Sequence, residues 1–332
     1  MEIKNPFSKS DNITFKGLWI GFLVLLLMLP ISQVNSLVHE RQGRQTEAAK
    51  DVSQKWASNQ TVTGPVLVVP YFEYAADLKT KYKRSAYFLP DQLNIETKVD
   101  PEIRHRGIFD VVVYNSLITM KGNFGNISFA GLEIDSSQII ENEIKLQMGL
   151  TDFRGISDQI KLSWNEHPKF FGAGVLGNDV ISNGVQVTMT KSELKNKNNY
   201  IIELKLRGSE YLFFTPFGKV TRVHMTSTWP SPKFAGNFLP SETSTISDKG
   251  FEAQWNVLDL NRNYPQVFKD TKYAIQESSF GVDFKQLGDL YVKTDRSIKY
   301  AFLFIALTFG LYFIMEIFQK KKVHSFQYIL LG

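Results

Sequence analysis

The sequence predicts a mainly β ectodomain, antiparallel and sandwich-like, held between transmembrane α-helices. Two long apolar stretches bracket the chain, at residues 17–38 and 300–318. About 20 helical residues cross the roughly 30 Å hydrocarbon core of a bilayer, and both stretches meet that length. Between them, apolar and polar residues alternate in short runs separated by turn residues, which is typical of half-buried strands. Everything between the two stretches is therefore expected on one side of a membrane.

The N-terminal part is predicted as a cytoplasmic tail (1–16), a transmembrane helix (17–38) and a helical stalk (39–60). A basic tail before an apolar run also describes a cleavable signal peptide. The anchor is favoured because the uncharged stretch is longer than a signal peptide needs and no A-x-A site follows it. The stalk is polar and helix-prone, with apolar residues on one face at Ala48, Ala49, Val52 and Trp56.

Residues 61–295 are predicted as the β-rich ectodomain, which the resemblance described below places in the periplasm. The run VLVVP at 66–70 reads as a buried strand, and the alternating runs as strands with one solvent-exposed face. Those runs place apolar residues at Ile144, Leu146 and Met148; at Val185, Val187 and Met189; at Ile202, Leu204 and Leu206; and at Val223, Met225 and Trp229. Turn chemistry separates the runs, for example at Gly122-Asn123 and Lys249-Gly250. One long sandwich and two stacked modules both fit, with a possible boundary at 170–183.

A second transmembrane helix is predicted at 296–318. Residues 319–332 are predicted as a cytoplasmic turn and the start of a third, truncated span, or alternatively as a short interfacial segment. Glu316 is the one acid in the second span, and intramembrane acids are candidates for function. An i,i+4 pair with Lys320 at the membrane surface is the simpler interpretation.

The count of flanking Lys and Arg is equal on the two sides, so the positive-inside rule does not orient the chain. A short N-terminal tail and the KKK cluster at 320–322 favour a cytoplasmic N-terminus and a central domain outside.

Composition excludes several classes of function. The net charge is +5 overall and +2 for residues 17–315, which provides no basic surface for nucleic acid. The chain contains no cysteine, so it has no disulfide, thiolate nucleophile or lipidated cysteine.

No motif identifies a reaction, and we predict no catalytic, cofactor-binding or metal-ligating residue. G-x-G-x-x-G occurs at 172–177, but loop and hairpin residues surround it where a nucleotide site needs a strand and a helix. His105, His167 and His224 are far apart in sequence and show no zinc-site spacing. A catalytic triad assembled from distant residues stays open, since triads are defined by geometry.

Aromatic residues make up 13% of the chain. Those around Phe217, Trp229 and Phe238 are interpreted either as the wall of a ligand groove or, as is commoner in sandwiches, as core.

Several stretches of the sequence are distinctive. They are RGIFD at 106–110 with VY at 113–114, GS at 208–209 with FTP at 214–216, WPSPKF at 229–234 with GNFLP at 236–240, GFEAQW at 250–255 with LNR at 260–262, and DRSIKY at 295–300 with LFIALTF at 303–309 and Glu316. Together they resemble the CreD family of inner-membrane cell-envelope-integrity proteins. His324, Gln327 and Tyr328 resemble the family's H-P-x-Q-Y sequence, although Ser325 stands in place of the proline.

This resemblance implies an N-terminal anchor, a large periplasmic domain and a C-terminal group of helices, of which this chain contains only the first in full. It implies a role in envelope integrity and stress response, and brings no established catalytic residues. We therefore expect a non-catalytic, multi-pass inner-membrane protein without cofactors. Its partners would be the lipid bilayer and an unknown envelope component or membrane protein, not nucleic acid. The alternative is an envelope hydrolase acting on a wall or lipid substrate. A transporter would need more intramembrane polar groups than this chain has.

Overall fold

The computed structural model describes residues 10–74, 80–174, 180–194, 197–269, 273–284 and 290–319, together with Gln327 and Leu330. The chain divides into two compact units. The helical unit comprises Met1–Glu47 and Gly288–Gly332, and the β unit comprises Ala48–Leu287. The predicted third span and the Glu316–Lys320 pair depend on residues outside the described ranges. So does the third glycine of the G-x-G-x-x-G match.

Two long helices bracket the chain, α1 at Ser10–Lys55 and α2 at Leu290–Gln319. Both are long and apolar enough to cross a membrane. In the helical unit, Phe309 packs against Ile20 and Leu23, and most other apolar side chains are exposed. Extensive apolar exposure on a helix marks a surface that lipid or protein can cover. The helix α1 is continuous through Pro30.

The β unit contains seventeen strands in its described part. They are β1 (Gln60–Tyr74), β2 (Lys81–Phe88), β3 (Gln92–Arg106), β4 (Phe109–Phe124), β5 (Ile144–Leu150), β6 (Lys161–Trp164), β7 (His167–Phe170), β8 (Gly172–Ala173), β9 (Gly184–Met189), β10 (Asn198–Ser209), β11 (Tyr211–Phe214), β12 (Val220–Ser227), β13 (Lys233–Gly236), β14 (Thr245–Ser247), β15 (Gly250–Leu258), β16 (Val267–Phe268) and β17 (Phe280–Asp283).

These strands form two mixed sheets. The first has the order β13-β17-β11-β1-β5-β9-β8, with β2 also pairing with β1 and β16 with β2. The second has the order β14-β15-β12-β3-β4-β10-β6-β7. One buried apolar cluster contains side chains from both sheets, so they share a single core. The predicted fold class is confirmed, with one difference: β1 pairs with β11, and β3 with β12, in parallel.

The burial pattern follows the sequence along most strands. In β10, Ile202, Leu204 and Leu206 are buried, whereas their neighbours Glu203 and Lys205 are exposed. The run at 66–70 is buried on both faces of β1, as its unbroken apolar sequence predicts. The prediction of one exposed face is wrong for β5, where Gln147 is also buried.

The turn predicted at Gly122-Asn123 is also wrong, because both residues lie inside β4. Gly122 pairs with Leu93 on one side and with Tyr200 on the other. A Cβ atom at Gly122 would lie 1.8 Å from the carbonyl oxygen of Gln92. Glycine is therefore present for close strand approach, which a sequence cannot distinguish from a turn.

The hairpin between β3 and β4 turns over two residues, Gly107 and Ile108. Gly107 has φ +61°, a left-handed conformation that glycine adopts at no steric cost. The tight turn fixes the end of β3, where Arg104 and Arg106 lie.

Candidate functional site

A cleft of about 240 Å³ lies beside the end of α1 in the β unit. We call it the Trp56 cleft, and it is lined by Asp51, Val52, Lys55, Trp56, Arg104 and Arg106. The helix α1 supplies the first three residues, and Trp56 follows its last residue. The strand β3 supplies the two arginines. The lining thus combines three cations, one carboxylate and an indole ring.

Two guanidinium groups lie over the Trp56 ring. The Cζ atoms of Arg104 and Arg207 are 5.0 and 4.9 Å from the ring centroid. Each such cation–π contact contributes about 0.5–2 kcal/mol, depending on how far the cation is desolvated. Because Arg104 is on β3 and Arg207 is on β10, these contacts join the end of α1 to the two strands on either side of β4.

Ion pairs surround the cleft. Asp51 bridges Lys55, at 2.9 Å between Oδ1 and Nζ, and Arg106, at 2.8 Å between Oδ2 and Nε. An Nη2 atom of Arg104 is 2.7 Å from Oε2 of Glu102. Within the described part of the chain, no carboxylate pairs with Arg207.

Asp152 connects the segment after α1 to the turn between β5 and β6. Its Oδ2 atom accepts hydrogen bonds from the backbone N–H and hydroxyl of Ser58, at 2.8 and 2.9 Å. Arg154 donates to it through its guanidinium, at 2.6 Å from Nη2. The hydrogen bond from the Arg154 side chain is the main cause that holds the pKa of Asp152 well below its usual range. The Asp152 carboxylate is therefore ionised at neutral pH.

The contacts of Asp152 and its neighbours hold α1 to the sheets. Nη1 of Arg154 donates to the carbonyl of Gln54, which lies in the last turn of α1. A cation at the C-terminal end of a helix complements the partial negative charge there. The Ser53 hydroxyl is hydrogen-bonded to that of Ser209 at 2.8 Å. The end of α1 is thus fixed by polar contacts on several sides.

The three ectodomain histidines are not brought together into a cluster. Nδ1 of His105 is 2.7 Å from Asp110, and Nε2 of His224 is 2.8 Å from Glu252. Both pairs are on exposed strand surfaces, and His167 is exposed. Within the described ranges, no hydroxyl is hydrogen-bonded to any of the three rings. The same ranges contain no group of three His, Asp or Glu side chains placed to hold a metal ion.

The aromatic side chains proposed as a ligand groove belong mainly to the core. Phe217 is fully buried and packs edge to face against Tyr264. Phe238 is partly buried and packs against Phe280 at 5.6 Å between ring centroids. The core interpretation is the correct one for Phe217, since a fully buried ring offers no surface to a partner.

A second cavity, of about 330 Å³, lies where two of the family-like stretches meet. Its lining includes Asn237, Phe238, Leu260, Arg262 and Glu277. The Cζ atom of Arg262 is 4.2 Å from the centroid of the Tyr264 ring, and its guanidinium donates hydrogen bonds to the backbone carbonyls of Tyr264 and Phe217. These contacts give Arg262 a structural role.

The sequence did not indicate the Trp56 cleft. Trp56 belongs to the predicted stalk, and Arg106 begins the family-like stretch at 106–110, but the sequence connects neither with a site. No local pattern relates Trp56 or the two arginines to Arg207, which is distant from all three along the chain.

A β unit bracketed by two apolar helices defines a class of protein: a β-rich domain with a helix long and apolar enough to cross a membrane at each of its ends. The comparisons with known proteins agree with this class. Residues 12–332 match the family described as "Inner membrane protein CreD", and the chain belongs to that family. It is 28% identical over 318 residues to Inner membrane protein CreD of Escherichia coli strain K12, covering 93% of this chain and 70% of the relative.

Proposed function

We propose that this protein is anchored in the inner membrane with its β unit in the periplasm. There it would support envelope integrity by binding another envelope component, without catalysis. The observation that carries this proposal is a large β unit between two helices able to cross a membrane, in a chain of an inner-membrane family. In that arrangement the water-exposed surface of the β unit is held close to the membrane, where it can bind another envelope component.

The orientation rests on the flanking sequences. A short N-terminal tail and the lysines at 320–322 favour the cytoplasm, and both helices then place their connecting chain outside. With this orientation we propose the boundaries predicted from the sequence, in which residues 17–38 and 296–318 cross the membrane and residues 61–295 form the periplasmic domain.

Non-catalytic binding is favoured over hydrolysis for two reasons. The family description names no enzymatic activity. In addition, no hydroxyl among the described residues is hydrogen-bonded to the His105–Asp110 or His224–Glu252 pair. Both pairs are on exposed strand surfaces, where water is not excluded.

Photocrosslinking in the native membrane tests the binding proposal. A photoreactive amino acid is placed at an exposed position of the β unit, Leu260 (87% exposed) or Ile108 (72%), and at the buried Phe217 as a control. We expect an exposed position to capture one defined envelope component that Phe217 does not. Capture of only abundant neighbours at every exposed position would contradict the proposal.

The two histidine–carboxylate pairs provide a separate test of the hydrolase alternative. We expect the His105→Ala and His224→Ala variants to retain the envelope phenotype of the parent protein, because neither histidine is bonded to a nucleophile. The phenotype is measured as detergent sensitivity of a strain that lacks the protein, complemented by each variant. Loss of complementation by one variant at normal protein abundance would favour hydrolysis.

A further inference from the structure

We propose that the Trp56 cleft binds a phosphate-type oxyanion. The proposed ligand class is a phosphate group, either free or carried by a lipid headgroup. This inference concerns the chemistry of one cleft, and it does not depend on the side of the membrane that the β unit occupies.

The charges of the lining favour an anion. Lys55, Arg104 and Arg106 line the cleft together with one carboxylate, that of Asp51. Asp51 pairs with Lys55 and Arg106, and Glu102, which is outside the lining, pairs with Arg104. Three cations against two carboxylates leave a surplus of one positive charge. A cleft with a surplus of one sign of charge and low-dielectric walls concentrates ions of the other sign.

Unused hydrogen-bond donors point to the same ligand. A guanidinium has five N–H donors. The carboxylate contacts of Arg104 and Arg106 use one nitrogen of each group. Within the described part of the chain, the other guanidinium nitrogens of Arg104 and Arg106 have no hydrogen-bond partner and are available to an oxyanion. Arg–phosphate hydrogen bonds are among the stronger ones in proteins because both partners are charged.

The arginines are also placed for a common ligand. Residues 104 and 106 are two apart on β3, so their side chains leave the same face of the sheet. The Trp56 ring holds the Arg104 guanidinium in place before any ligand arrives. A preorganised cation loses less conformational entropy on binding than a free one.

The end of α1 does not account for Arg104 and Arg106. Arg154, which is not part of the lining, already donates to the Gln54 carbonyl at that end. The competing explanation is that Arg104 and Arg207 serve only to hold Trp56, and it predicts no response to phosphate.

Fluorine NMR of the full chain tests the site. The chain has five tryptophans, so 5-fluorotryptophan labelling gives five signals, and the Trp56→Phe variant assigns one of them. The labelled protein in phosphatidylcholine nanodiscs is titrated with inorganic phosphate. We expect the Trp56 signal to shift and saturate, while those of the buried Trp164 and Trp255 stay in place.

Variants connect the shift to the cleft. Arg104→Gln and Arg106→Gln should each weaken phosphate binding at least about tenfold, the effect of losing a hydrogen bond to a charged group. Arg104→Lys keeps the charge but loses the planar donors, and should weaken it less. Arg222→Gln is the control, because Arg222 is exposed on β12, outside the cleft, and should bind as the parent does. Unmoved Trp164 and Trp255 signals show that each variant is folded.

Changing the lipid of the nanodisc distinguishes a lipid headgroup from a soluble phosphate as the source of the ligand. A Trp56 signal already at its phosphate-bound position in phosphatidylglycerol nanodiscs assigns the ligand to a lipid headgroup. A signal that moves only on adding phosphate assigns it to a soluble ligand, and both results support the cleft. An equal shift with sodium chloride at the same ionic strength overturns the proposal, as does an Arg104→Gln variant that titrates like the parent.

Discussion

Asp152 is a single residue on which the attachment of α1 depends. Its carboxylate accepts a hydrogen bond from the backbone N–H of Ser58, which follows the helix. It also orients Arg154, which donates to the Gln54 carbonyl in the last turn of α1. Its side chain is only 10% exposed, whereas that of Arg154 is 53% exposed. Solvent therefore screens the ion pair in part, and the hydrogen bonds from Ser58 are the more protected contacts. A substitution that removes the charge should therefore lower the stability of the folded state.

We expect Asp152→Asn to lower the free energy of unfolding by about 2 kcal/mol at pH 7, from the loss of charge-assisted hydrogen bonds. The measurement is urea unfolding in detergent micelles, followed by tryptophan fluorescence. Asp158→Asn is the matched control, because Asp158 is an exposed carboxylate paired with Lys205. That variant should behave almost as the parent does, and an equal effect of the two substitutions would refute the role of Asp152.

The same variant predicts a pH dependence. The pKa of Asp152 is depressed in the folded state from an ordinary value of 3.8. Its contribution to stability is therefore complete above 3.8 and is lost as the pH falls below that value toward the folded pKa. The difference between parent and Asp152→Asn should be constant from pH 7 to pH 5 and smaller at pH 3. A difference that grows at pH 3 would contradict the assignment.

At this scale the sequence predicts burial well and contacts poorly. Alternation identified Ile202 and Leu204 as buried, because the side-chain period of a strand is a local property. Asp152 and Ser58 are 94 residues apart, and their contact arises only from the tertiary arrangement. For a polar residue in a loop, no local sequence pattern predicts which distant residue it contacts.

At the scale of elements, the β3–β4 hairpin determines the geometry of the Trp56 cleft. We expect Gly107→Ala to destabilise the β unit by about 1 kcal/mol, because φ is +61° there although a Cβ would meet no atom. Gly131→Ala is the control, since its Cβ is equally unobstructed and its φ is not left-handed. Urea unfolding measures both, and an unaffected Gly107→Ala variant would show that the turn tolerates a side chain.

Element identity was largely predictable, whereas element pairing was not. The unbroken apolar run of β1 announced a strand buried on both faces. Its parallel partner β11 begins about 140 residues later, and no feature of either strand identifies the other. Antiparallel pairing was the natural expectation because short turns separate so many neighbouring strands. The two parallel pairs need long connections, which here consist of intervening strands of both sheets.

At the scale of the molecule, one core unites both sheets of the β unit. Residues from β1 to β17 contribute to it, including the buried Phe124, Trp164, Phe214 and Phe280. A core of this size explains how the unit is stable without any disulfide. The absence of cysteine also provides an experimental advantage, since any introduced cysteine is unique in the chain.

That property makes the proposed topology directly testable. We expect a cysteine at Asp248, exposed in the β14–β15 turn, to react with a membrane-impermeant maleimide in intact spheroplasts. A cysteine at Ser8, in the predicted cytoplasmic tail, should react only after the membrane is permeabilised. The physical reason is that the ends of a helix spanning the bilayer are on opposite sides of it.

Three outcomes would contradict the proposed topology. Labelling at Ser8 but not at Asp248 in intact spheroplasts would show that the orientation is the reverse of the one proposed. Equal labelling at both sites would mean that α1 does not cross the membrane. Release of the protein from membranes by carbonate alone would likewise exclude anchoring by α1 and α2.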